Sequence, residues 1–124
     1  MLRTRSLATF QLSEQPRLHR DDIDMFIHSV YFWLRKDLTP ADEREFDAGV
    51  RSLGTIEGVR SSYVGVPAAT DRPVIERGYS RALVLVFDDE DGHDAYQVHP
   101  VHDRFRKACG RFWTDVRIFD VVTR

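Results

Sequence analysis

An α+β fold is predicted, with an antiparallel four-stranded sheet and helices on one face. Three observations predict it. Four segments rich in β-branched and aromatic residues lie at Phe26 to Leu34, Val59 to Val66, Tyr79 to Phe87 and Trp113 to Val122. Helical signals follow the first and the third of these. Between the second and third, Pro67 to Gly78 carries two prolines and mixed charge and reads as a loop. The order β-α-β-β-α-β is the ferredoxin-like arrangement.

The first strand reads Phe-Ile-His-Ser-Val-Tyr-Phe-Trp-Leu and is apolar on both faces. His28, Val30, Phe32 and Leu34 share one face; Ile27, Ser29, Tyr31 and Trp33 share the other. Thr39-Pro40 then supplies an N-cap and a first-turn proline, with Asp42 placed to close a capping box. Phe46, Val50 and Leu53 follow at helical spacing, and Gly54 ends the helix. The second strand is polar and the third is the most apolar. On the third, Tyr79, Arg81, Leu83 and Leu85 are expected to share a face. The acidic run Asp88 to Asp91 opens a second helical region at the end the helix dipole prefers. Pro100 should break it, and a further helix is expected from about Val101 to Arg111. On the last strand Val116, Ile118 and Val122 alternate against Arg117 and Phe119.

Helices on one face leave the other face of the sheet to be covered. An apolar sheet face of that size usually finds a partner. The simplest solution is a homodimer joined through the sheet faces.

Residues 1–24 differ from the rest. They hold scattered arginines and then Asp21, Asp22 and Asp24, without a period of 2 or 3.6. A poorly ordered extension is expected there, with the folded domain at 25–124. Met25 directly precedes the first strand and is a second candidate start. The segment Leu7-Ala8-Thr9-Phe10 is too short for the apolar part of a signal peptide.

Composition narrows the function classes. The chain has 124 residues, enough for one domain, and its net charge is -2. No basic excess points to nucleic acid or an anionic membrane. The longest apolar run, Ala82 to Phe87, has strand length and cannot span a bilayer. Cys109 is the single cysteine, so no intrachain disulfide calls for an oxidising compartment. A cytoplasmic protein is expected. Cys109 itself reads as a half-buried thiol on a helix.

Chemistry is concentrated in Tyr96-Gln97-Val98-His99-Pro100-Val101-His102. Pro100 fits the first turn of a helix, which places His102 in that turn as well. The helix dipole there disfavours positive charge, so the His102 imidazole tends to stay neutral and able to act as a base. A Tyr96 hydroxyl turned to the same cavity would donate to a carbonyl or enolate oxygen. Base and donor together suffice for removing a proton next to a carbonyl. A structural reading fits the spacing too: His99 and His102 pin the helix junction through hydrogen bonds. A zinc site built from His99, His102 and His28 lacks a cysteine or paired acid, so no metal is expected. His28 matters if its face looks at the helices. An inward Arg81 would suggest an anionic ligand or a buried acid, and an edge position or dimer contact is its plainer account. His93 follows an acidic run and is expected to be solvated.

Several of these pieces resemble the stress-responsive A/B barrel domain (Dabb) family. They are Phe26-Ile27-His28-Ser29-Val30, Gly78-Tyr79, Ala95 through His102, and Val116-Arg117-Ile118-Phe119-Asp120. The resemblance implies a dimeric α+β barrel from about Phe26 to Val122. One plant enzyme of the family closes a linear polyketide by aldol condensation without metal or organic cofactor. By resemblance Tyr96 is its substrate-binding donor, His102 its general base and His28 its first-strand pocket histidine. Arg81 stands where that enzyme has another pocket histidine. The candidate substrate-binding residues are His28, Arg81 and, from its place in the motif, His99. The favoured expectation is a homodimeric barrel protein with a small cavity for an apolar or aromatic ligand, needing no cofactor. The alternative is a cofactor-independent cyclase or isomerase.

Overall fold

Alternation along the first strand sets the two faces of the sheet. In the computed structural model, which describes residues 24–124, β1 (Phe26–Leu34) buries Phe26, His28, Val30 and Phe32 in alternation with less covered neighbours. The expected N-terminal extension lies almost wholly outside the described residues. β1 pairs antiparallel with β3 (Arg81–Phe87) on one side and β4 (Trp113–Val122) on the other. β2 (Val59–Gly65) pairs with β3, giving the order β2-β3-β1-β4. This is the ferredoxin-like topology that the element order predicts.

Helix α1 (Pro40–Leu53) begins with the expected capping box. Thr39 Oγ1 accepts from the Asp42 amide, and Asp42 Oδ2 accepts from the Thr39 amide, each at 3.1 Å. Phe46, Val50 and Leu53 face the sheet and are fully buried or nearly so. Each such side chain contributes about 1.5–3 kcal/mol by leaving water. A Cβ at Gly49 would lie 2.7 Å from Cys109 Sγ, so a bare backbone there lets α1 approach the helix carrying Cys109.

Helix α2 (Glu90–Gln97) is capped by Asp89, whose side chain accepts from the Gly92 amide. Helix α3 (Pro100–Cys109) starts at the proline itself and passes into a 3-10 turn at Gly110–Phe112. It is therefore shorter at its C-terminus than the pattern predicts. Cys109 is buried rather than half-buried, and burial pushes its thiol up, away from nucleophilic character.

Two further expectations are corrected. Strand β3 begins at Arg81, so Tyr79 does not continue its alternation. Tyr79 packs against Tyr31 and Trp33 on the outer face, whereas Arg81 pairs with Phe32 on the helix side. His93 is buried rather than solvated. On α2 it lies one turn before Tyr96, so the two share the inward face while Glu90, Asp91 and Asp94 point out.

Candidate functional site

Strand register and one helix junction bring the candidate groups together. His28 sits on the helix-facing side of β1, the side that makes it interesting. Tyr96 reaches the same space from the end of α2, and His102 from the first turn of α3. The Tyr96 and His102 rings meet edge to face with centroids 4.9 Å apart, and Tyr96 and His28 are 5.6 Å apart. All three line one cavity of about 280 Å³ between the helices and the sheet. Its walls are apolar: Val30, Phe32, Leu53, Leu83, Phe105, Trp113 and Val116. Gln97, Arg106 and Ile118 are exposed residues that complete its lining and mark its mouth.

Burial governs the electrostatics. It holds the Tyr96 phenol well above its ordinary value, so the hydroxyl remains a donor. It also lowers the His102 imidazole, with help from the Arg106 guanidinium. The first-turn dipole acts in the same direction. Neither the Tyr96 hydroxyl nor His102 has a hydrogen-bond partner among the described residues. An imidazole whose proton affinity burial lowers and a protonated phenol thus face one apolar space with their polar atoms uncommitted among the described residues.

His99 takes the other role that the motif allows. Its Nδ1 accepts from the Val101 amide at 3.0 Å and caps α3. It lies outside the cavity lining. Arg81 lies outside it as well. Its guanidinium donates to Asp47 at 2.8 Å and Glu43 at 3.0 Å, both on α1. The inward arginine therefore has the acid partners that its position calls for, and those carboxylates hold it charged. Of the five candidates, the fold gathers Tyr96, His102 and His28 and sends His99 and Arg81 elsewhere.

Two residues join the site that sequence reasoning missed. Asp120 is paired with His28 in the β1–β4 register, and its Oδ1 lies 2.6 Å from His28 Nδ1. Burial lowers the His28 imidazole, and the nearby carboxylate opposes that shift without reversing it. His93 lies behind, its ring 4.7 Å from that of His28 and stacked at 4.3 Å on Phe26. One ligand atom from each of His28, His93 and Asp120 falls within 4.8 Å of the others. The signals were present in the sequence. Asp120 continues the Val116, Ile118 alternation, and His93 precedes Tyr96 by three.

Comparison with known proteins agrees with this architecture. The chain is 24% identical over 98 residues to olivetolic acid cyclase of Cannabis sativa, covering 78% of this chain and 95% of that enzyme. A Dabb family protein with a ferredoxin-like fold from Mesorhizobium loti superposes with a TM-score of 0.67 at 22% identity, covering 82% of this chain and 98% of the other. A dimeric ferredoxin-like protein of unknown function from Thermobifida fusca gives a TM-score of 0.65 at 22% identity, covering 80% and 91%. The model of the Stress responsive A/B Barrel Domain matches residues 26–123, and the chain belongs to that family, Dabb.

Proposed function

We propose that the cavity binds a small, mainly apolar carbonyl compound and that Tyr96 and His102 move protons on it. The carrying observation is the division of labour within one motif. His99 serves the helix junction, while Tyr96 and His102 line the cavity with no polar partner among the described residues. A purely structural motif would have committed those groups to the backbone, as His99 is committed to the Val101 amide. Tyr96 would donate to the carbonyl oxygen, stabilising the enolate as charge develops there. His102 would take the adjacent proton. An aldol-type ring closure or an isomerisation both begin with that step. The likeness to a cyclase supports the first, and the space of about 280 Å³ suits a single aromatic ring with a short chain.

The test is exchange of the α-protons of a phenyl β-diketone for deuterium in heavy water, followed by NMR. Exchange above the buffer rate is expected. The pH profile carries a sign. His102 must be neutral to act, and burial lowers its value below the ordinary 6.5. The rate should therefore fall on the acid side with a midpoint below 6.5 and stay flat above it. The same shift links to stability. The unfolded imidazole takes up its proton first as pH drops, so the fold loses stability below about 6.5. An acid limb centred above 6.5 would remove His102 as the base.

We infer that two copies pair through the outer sheet face. Ile27, Tyr31 and Trp33 of β1 lie there with Val84 and Val86 of β3 and Phe119 and Val121 of β4. Phe119 is 60% and Val121 49% exposed, which leaves a broad apolar surface in a single copy. The dimeric relative supports this reading. Sedimentation at micromolar concentration should give a dimer, and Phe119→Lys should give a folded monomer. A wild-type monomer would contradict the pairing. No described helix is long and apolar enough to cross a membrane.

A further inference from the structure

We propose that His28, His93 and Asp120 form a binding site for a divalent transition-metal ion, with zinc as the reference ion. The donors come from β1, α2 and β4, three elements fixed by the core rather than by a loop. One ligand atom from each lies within 4.8 Å of the others. Ligands at about 2.0–2.2 Å from a tetrahedral zinc stand about 3.5 Å apart, so the wider pairs must close while His28 Nδ1 and Asp120 Oδ1, at 2.6 Å, must part.

The buried His93 supplies the second observation. Its Nε2 is buried and has no hydrogen-bond partner among the described residues. Its other ring nitrogen, Nδ1, lies 3.4 Å from Gln97 Nε2 and 3.7 Å from Asp94 Oδ1. With the Gln97 amide turned so that its oxygen accepts from Nδ1–H, the Nε2 lone pair is left free and buried. Ligating histidines are held in this way, with the second nitrogen donating to a carboxylate or carbonyl. His28 Nδ1 and Asp120 Oδ1 face each other at 2.6 Å, as neighbouring ligands of one ion would. A bound ion would replace the proton held between His28 Nδ1 and Asp120. The Asp120 side chain is 38% exposed and opens the cluster to solvent on one side.

Two imidazoles and one carboxylate select zinc, cobalt or nickel over magnesium and calcium, which prefer all-oxygen sets. The site shares His28 with the cavity, so an occupying ion would stand next to the proposed carbonyl site. Its existence does not depend on that reading, because metal binding is measured without any carbonyl ligand.

The experiment is titration of the full, chelator-treated chain with Co²⁺, followed by visible absorption, and with Zn²⁺ by calorimetry. One ion per chain is expected, with the cobalt bands of a four- or five-coordinate site. Asp120→Asn, at a half-exposed position, should keep the fold and weaken binding at least 10-fold. His93→Gln should do the same, and Mg²⁺ should not compete. His19→Ala and His99→Asn should leave binding unchanged. Absence of saturable binding would overturn the proposal. So would binding that survives Asp120→Asn and His93→Gln but is lost in His19→Ala or His99→Asn.

Discussion

Tyr96→Phe and His102→Ala are expected to abolish most α-proton exchange while leaving the fold nearly intact. Loss of the base should lower the rate by about 10²–10⁴-fold. Loss of the hydroxyl should lower it by about 10²–10³-fold, the usual effect of removing one oxyanion donor. Stability should barely move in Tyr96→Phe. The hydroxyl has no partner among the described residues, so its removal orphans nothing. The ring itself is kept, and with it the contacts to Phe87 and His28. Thermal melts beside the exchange rates separate the two roles. A fall in stability of several kcal/mol with exchange retained would make the motif structural.

Phe32→Ala should destabilise the protein by about 3–5 kcal/mol. Phe32 is only 2% exposed and joins the core to the cavity wall. Its ring packs edge to face on Phe46 at 5.1 Å, and on Trp113 at 5.1 Å and Phe105 at 6.1 Å. Truncation removes both the transfer free energy of the ring and the packing around the space it leaves. Phe32→Leu should cost less, since part of the volume is kept. Denaturant unfolding measures both. A loss below about 1 kcal/mol for the alanine variant would mean that the aromatic cluster relaxes into the gap.

Most of the fold was legible because its signals are local. Alternation in β1, the Thr39-Pro40 cap and the break at Pro100 each depend on residues a few positions apart. The boundaries that shifted depend on longer range. Tyr79 looked like strand because it is aromatic and in phase with Arg81, yet pairing with β1 begins only at Arg81. The site was legible in part for the same reason. Tyr96 and His102 share one short motif, and their roles follow from the helix start between them. Asp120 meets His28 across 92 positions through the β1–β4 register, which no local pattern displays. His93 was masked by its acidic neighbours, whose charges face outward while the imidazole turns inward. The purpose of Arg81 was equally hidden, because its acids Asp47 and Glu43 lie on a helix more than 30 positions away.

The most direct test follows the imidazole signals of the chain's five histidines by NMR while a phenyl β-diketone is added to chelator-treated protein. If the cavity between α2, α3 and the sheet is the ligand site, the His102 and His28 resonances shift together and saturate, while His99 and His19 stay in place. Shifts confined to His99 or His19, or no saturable shift at His102, would contradict it.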